Sequence, residues 1–380
     1  MSAKRPSSLN GSEYALVHAI YFSSVACMSD TEVDGLFDMT KDTAMDIYRL
    51  STEEALAKAV LLNMDEDLVA VQALVLFLSV SHLTGKANTA WKLAGIAQRS
   101  SVFSQADQPP FQIEIRNRLW WQLWYIDHRA IKDFGLRNGA ESSSTFELPS
   151  NANDSDLDPN SSHPVTSRIG WSEQTFALVR YQIAQTRQRL GDDIPMIQNK
   201  EIIRDCEKRL HDRHLQFCTD EHSPIQWLTR HVAHVLTMEM WFELYSAETL
   251  AINFNNGLEG DCQHEQGFQD YLFLNAIDIV DTTSRLEMGH LSRQWAWLLR
   301  GYQQFRPLVF LLNELQYREP CAAVAHAWKV VESALSRWPA SSRNSANGIL
   351  MDKLKTKADE IQLRLSQREQ GKAGLSTIKT

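Results

Sequence analysis

The run Arg116-Asn117-Arg118-Leu119-Trp120-Trp121-Gln122-Leu123-Trp124-Tyr125-Ile126-Asp127 constrains the fold more than any other part of the chain. It sets three tryptophans, a tyrosine and two arginines on one helix-like stretch. Trp120 and Trp124 are four residues apart, as are Trp121 and Tyr125. On a helix each pair shares a face, and the two faces adjoin. So much aromatic area on one helix has to be covered, either by neighbouring helices or by a ligand.

The rest of the chain has the same periodicity. Apolar residues recur at helical spacing near 13–27, 30–38, 41–62, 66–82, 87–99, 111–134, 171–189, 196–217, 224–249, 266–286, 292–316, 320–337 and 348–369. No run alternates convincingly like a half-buried strand, and no Asn-Gly turn joins two β-rich segments. The expected fold is all-α, a large bundle or array of about a dozen helices. Asp65 and Asp67 are placed to cap the helix that follows them. Pro109-Pro110 opens the tryptophan helix, and Gly135 is placed to end it. Pro320 opens a helix that stops before Pro339.

Residues 137–168 break this pattern with a stretch rich in Ser, Asn, Asp and Pro. Asx turns at Asn151, Asn153 and Asp154 would order part of it. A domain linker is one reading. The embedded Phe146, Leu148 and Leu157 favour a loop pinned across the helical body. The expected organisation is a disordered start at 1–12, one helical domain over 13–338 and a C-terminal amphipathic helix over 339–370. Leu350, Leu354, Ala358, Ile361 and Leu365 mark the face of that last helix, and a disordered tail follows at 371–380.

Charge and cysteine usage limit the function classes. The net charge is −9, which argues against a broad DNA-gripping face. Cys27, Cys206, Cys218, Cys262 and Cys321 are scattered, with no C-x-x-C pair, as expected of reduced and mostly buried thiols. Residues 1–13 lack the apolar core of a signal peptide. The longest apolar stretch, Leu68 to Val80, is too short to span a bilayer. A soluble intracellular protein with no membrane partner is the expectation.

Several groupings carry candidate chemistry. His231 and His234, with Glu239 beyond them, and His211 and His214 have the three-residue spacing of helical metal ligands. Neither pair forms H-E-x-x-H, and packing or surface roles explain both. Asp278 and Asp281 are also three apart, with Glu287 further on, and Asp127 and Asp133 flank the end of the tryptophan helix. Carboxylates above an aromatic cavity would suit magnesium-dependent diphosphate chemistry, with the rings stabilising a carbocation. No D-D-x-x-D run supports it, and capping or surface charge is the plainer explanation. Asp65-Glu66-Asp67, the densest acidic cluster, reads as a helix start. There is no Walker loop and no G-x-G-x-x-G. In the tryptophan helix, Glu114 and Arg118 are spaced to pair. Asp127 reads as an acid among apolar groups that caps or bridges a neighbouring helix. The stripe itself is either core or the lining of a ligand pocket.

Arg116-Asn117-Arg118-Leu119-Trp120-Trp121 with Asp127 resembles the R-R-R-L-W-W…D signature of the fungal-specific transcription factor domain, the middle homology region of fungal zinc-cluster regulators. Other segments fall in the family's order. Gln72–Leu78 and Ala90–Ala97 resemble the preceding helix pair, and Leu148–Pro159 resembles the acidic loop. Gly170–Phe176 resembles the start of the next helix, and Ala325–Trp328 with Trp338 the closing one. The resemblance runs from about Glu13 to Trp338. It implies an all-α regulatory domain of nuclear transcription factors, especially those governing fungal metabolic gene clusters. Members usually carry an N-terminal Zn2Cys6 module that places a helix in DNA. This sequence starts just before the regulatory domain without one, so direct DNA binding is not expected of it.

The first expectation is therefore a regulator that acts by association with a partner protein or a second copy. It would sense a small metabolite in a helical pocket and need no cofactor. Arg116, Arg118, Trp120, Trp121, Trp124 and Asp127 form its core or pocket signature. The alternative is a cytoplasmic enzyme recruited from the same fold, a magnesium-dependent cyclase of an isoprenoid diphosphate using Asp127, Asp133, Asp278 and Asp281. A bare scaffold is the third reading.

Overall fold

The computed structural model describes residues 9–63, 67–81, 87–134, 146–191, 193–220, 222–255, 262–299, 304–337, 349–357, 359–361 and 363. Of these, 60–63, 87–90, 130–134, 247–255, 262–266, 268 and 296 are described by their backbone alone. The described residues are helical with no strand, as the periodicity predicts. They divide into two compact units. One takes residues 1–233 and 290–301, the other 234–289 and 302–380. The described part of the loop after the tryptophan helix, residues 146–168, lies inside the first unit. The division falls instead within one long helix.

The first unit contains α1 (Gly11–Cys27), α2 (Asp30–Phe37), α3 (Lys41–Asn63), α4 (Leu68–Ser81), α5 (Ala87–Ala97), α6 (Pro110–Phe134), α7 (Thr175–Arg189) and α8 (Met196–Arg213). It also holds the start of α9 (Pro224–Asn255) and the short α11 (Ala296–Leu299). α1 packs on α3 and α4, α4 on α5 and α6, and α6 on α5 and α7. The central element is α4, Leu-Val-Ala-Val-Gln-Ala-Leu-Val-Leu-Phe-Leu-Ser-Val-Ser, apolar nearly all round as a helix enclosed by others must be. Its own Leu78 is fully buried, as are Phe22 of α1 and Trp121 and Leu123 of α6. Each such side chain contributes about 1.5–3 kcal/mol of burial free energy. No helix among the described residues is long and apolar enough to cross a membrane.

The second unit contains the rest of α9, α10 (Cys262–Met288), α12 (Phe305–Glu314) and α13 (Ala322–Ser336). α10 packs on α12 and α13, and α12 on α13. Residues 349–357 are helical as well. There Met351 is buried, Leu354 and Ile361 are half-buried and Leu350 is 41% exposed. Ala358 and Leu365 of the expected face lie outside the described residues.

Helix ends depart from the predicted ones for local reasons. α1 starts two residues early because Asn10 and Glu13 form a capping box. The Asn10 side chain accepts from the Glu13 N–H at 2.8 Å, and the Glu13 carboxylate accepts from the Asn10 N–H at 3.1 Å. Part of the segment expected to be disordered at 1–12 is thus ordered. Residues 1–8 lie outside those described, as do Asp65 and Gly135. Asp67 does cap α4, accepting the Val69 N–H at 2.9 Å. The helix expected over 196–217 stops at Arg213, because His214 leaves the helical region at φ −132°. The single helix expected over 292–316 does not form. Pro307 lacks an N–H and is tolerated only in a first turn, so α12 begins at Phe305. Cysteine burial is mixed: Cys206 and Cys218 are buried, whereas Cys27 and Cys321 are exposed.

Candidate functional site

The tryptophan helix α6 and the segment 146–175 form one cluster within the first unit. Trp120, Trp121, Trp124 and Tyr125 are all buried. Trp121 meets Trp120 and Trp124 edge-on, at centroid separations of 5.4 and 5.0 Å, and stacks on Tyr181 of α7 at 5.8 Å. Its indole N–H donates to the Glu147 carbonyl at 2.8 Å. Trp120 stacks on Phe146 at 4.7 Å, and Phe146 meets Phe103 edge-on. Phe146 and Leu148 pack against the core and pin the loop as expected of them, whereas Leu157 is only half-buried. Burial pushes the Tyr181 phenol up to about 12, and its hydroxyl donates to Gln122 at 3.0 Å.

The two signature arginines do separate work. The Arg118 Nε donates to Glu114 Oε1 at 2.7 Å, as the four-residue spacing predicts. Its Nη1 reaches Asp154 at 2.7 Å and its Nη2 the Ala152 carbonyl at 3.2 Å. Glu114 is buried and also accepts the Ser150 N–H at 3.1 Å. The pair therefore ties the loop to the helix with charge-assisted bonds. Arg116 donates through Nε to the Val102 carbonyl at 2.7 Å, and burial holds its guanidinium below the usual arginine range.

Asn151 organises the far side of the loop. Its amide donates to the Arg168 and Gly170 carbonyls at 2.9 and 2.8 Å. Its Oδ1 accepts from Ser172 at 2.6 Å and Thr175 at 3.2 Å. Arg168 closes the loop on Asp156 through two contacts of 2.6 and 2.5 Å. Gly170 sits at φ +110°, where a side chain is strained. Together with the Ser172 N–H bond to Thr175 Oγ1, this conformation delays α7 to Thr175 from the expected 171.

The candidate metal ligands sit as follows. Asp127 is half-buried on α6 and accepts from the Trp91 side chain of α5, the interhelix bridge expected of it. Burial raises its carboxyl pKa, with Trp91 and Arg99 pulling the other way. The Asp133 side chain lies outside those described. Asp278 and Asp281 belong to the second unit. Asp278 lies 2.7 Å from His234 Nε2, and Asp281 pairs with Arg285 at 3.1 Å. Glu287 accepts from Arg337 at 3.0 Å, and the buried Glu239 from Gln304 at 2.6 Å. Among the described residues no three His, Cys, Asp or Glu side chains are grouped to hold a metal.

Neither histidine pair presents two ring nitrogens to one point. His231 stacks on Trp227 and its Nδ1 lies 2.8 Å from the Trp227 carbonyl, while His234 faces Asp278. His211 is exposed. His214 is buried, with Nε2 2.9 Å from Gln182.

Tyr181, Gln122, Trp91 and the Asn151 hub were not singled out by sequence reasoning in these roles. Gly170 beside a Ser172-x-x-Thr175 pair was the readable hint for the hub. Chemically, the cluster is a set of saturated structural ties. The groups at its centre hold a loop and a core.

This is an all-helical domain whose signature helix serves as a structural tie. Residues 3–218, more than half of the chain, match the family described as fungal specific transcription factor domain. The chain belongs to that family. It is 30% identical over 334 residues to the C6 finger domain transcription factor nscR of Aspergillus fumigatus, a match covering 84% of this chain and 43% of that protein. It is 25% identical to the aurofusarin cluster transcription factor aurR2 of Gibberella zeae, covering 88% and 51% respectively. It is 25% identical to the pyriculol/pyriculariol biosynthesis cluster transcription factor 1 of Pyricularia oryzae, covering 86% and 46%. The chain spans about half the length of the curated relatives it matches.

Proposed function

We propose that the chain is the regulatory region of a fungal transcriptional regulator and that it controls a secondary-metabolite gene cluster. The reading rests on the family match over residues 3–218, alongside relatives named for the aurofusarin and pyriculol/pyriculariol clusters. The chemistry of the tryptophan helix agrees with it, because Arg118, Glu114 and Trp121 are used to hold a stable helical body. Such a body acts on transcription by associating with another protein. The net charge of −9 disfavours a broad DNA contact by these residues. No cofactor enters the mechanism, and a small metabolite within the helical body would supply the signal. The place of action is the nucleus.

A tag added to the gene at its native locus tests this. Nuclear fluorescence, and enrichment of the tagged protein on promoters of a biosynthetic gene cluster, are the expected results. Cytosolic signal with promoter enrichment no higher than in an untagged strain would contradict the proposal.

A further inference from the structure

We infer that the outer face of α1 and α3 is a docking groove for a basic amphipathic helix of a partner protein. Tyr14, Ile20 and Tyr21 on α1 and Ile47 and Leu50 on α3 are each between 45% and 57% exposed. The two tyrosines among them do not project singly. Tyr14 packs on His18 at 4.3 Å, His18 meets Tyr21 at 6.1 Å, and Tyr21 meets Tyr48 of α3 at 6.2 Å. The rings join the outer sides of the two packed helices into one strip, which a third helix can cover by its own apolar stripe.

The surroundings select the sign of the partner. Residues 9–63 carry nine Asp and Glu against three Lys and Arg, a net charge of −6. Each of the three cations is engaged within this region. Arg49 lies between Asp46 and Glu53 at 3.1 and 2.9 Å, and Lys58 pairs with Glu54 at 2.8 Å. Lys41 donates to the Ala26 and Met28 carbonyls. An apolar strip within an acidic rim fits a helix with Leu-like residues on one side and Lys or Arg on the other.

Two considerations favour a single helix over a second copy of the chain. The strip is built from five exposed apolar side chains, far fewer than the roughly 20–30 residues a side of a standard interface. A standard protein interface buries about 800 Å² per partner. A two-fold dimer on this face would also set one acidic rim against its equal, which is repulsive.

The inference deepens the association part of the proposed function and rests on that part alone. Its test uses purified chain in vitro, so its failure is separable from a failure to regulate genes in the cell. The ligand is a fluorescein-labelled 18-residue Leu/Lys peptide with an amphipathic helical pattern, compared by fluorescence anisotropy with a scrambled peptide of the same composition. The amphipathic peptide is expected to bind at least tenfold more tightly. The double substitution Ile47→Ser and Leu50→Ser leaves the charge unchanged and should weaken it at least tenfold. Tyr14→Ser with Tyr21→Ser should do the same, with unaltered circular dichroism melting in both variants. Equal binding of the two peptides, or insensitivity to both double variants, would overturn the inference. So would a wild-type dimer in sedimentation that Ile47→Ser with Leu50→Ser converts to monomer, because the occupant would then be a second copy.

Discussion

Arg118 and Asp154, separated by 36 positions in the chain, meet at 2.7 Å, while the same guanidinium holds the buried Glu114 one turn back on its own helix. A planar fork with several fixed donors can serve both carboxylates and the Ala152 carbonyl at once, which an ammonium cannot do with the same geometry. The signature arginine is thus one of the points where the loop is fastened to the tryptophan helix.

Arg118→Ala should cost about 2–4 kcal/mol, because it strands a buried carboxylate as well as losing the bonds. Arg118→Lys keeps the charge without the fork and should cost about half as much. Urea denaturation followed by tryptophan fluorescence measures both. Limited proteolysis should cut Arg118→Ala faster within residues 146–168.

Trp121 fills core and also carries one directed bond. Trp121→Ala should destabilise by about 3–5 kcal/mol through the cavity it leaves. Trp121→Phe retains a ring against Tyr181 but cannot donate to the Glu147 carbonyl, and should cost about 1–2 kcal/mol. Melting temperatures of the two variants should rank in that order.

Two glycines should respond with opposite signs. Gly170→Ala forces a side chain into a positive-φ conformation and should cost about 1–2 kcal/mol. Gly35 lies inside α2, with nothing within 4 Å of where its Cβ would sit. Gly35→Ala should stabilise by about 0.5–1 kcal/mol. Equilibrium denaturation of the two single variants checks both.

His214 should make the fold acid-sensitive. Burial lowers its pKa from 6.5 to about 4. In that range the unfolded chain binds the proton and the folded chain does not. Stability is therefore full above about pH 6.5 and falls as the pH drops toward 4, by about 3 kcal/mol in total. Protonation would also turn Nε2 from an acceptor into a donor facing the Gln182 amide. His214→Gln should flatten the denaturation midpoint over this range. Asp127, whose pKa burial raises, has the opposite sign, so the comparison of wild type with His214→Gln isolates the histidine.

Much of this architecture was legible in the chain. The 3.6-residue spacing gives the helices, and Glu114 four residues before Arg118 gives their pairing. Phe146 and Leu148 mark a loop that is pinned. What stayed hidden depends on distance in sequence or on a local contest. The stacking of Tyr181 on Trp121 and the convergence of Gly170, Ser172 and Thr175 on Asn151 have no periodic trace. Pro307 was legible, but apolar spacing outweighed its missing N–H and merged two elements. The Asn10–Glu13 capping box lies in a polar start whose composition resembles a disordered tail. Asp127 reads as a cap or bridge to a neighbouring helix, and the position of Trp91 shows which neighbour it serves.

The most direct test of the regulatory role is transcript abundance of the biosynthetic cluster genes after deletion of the gene encoding this chain. Regulation predicts at least a tenfold change in those transcripts, restored by the wild-type gene and only weakly by an Arg118→Ala allele. Cluster transcripts that are unchanged on deletion would contradict it.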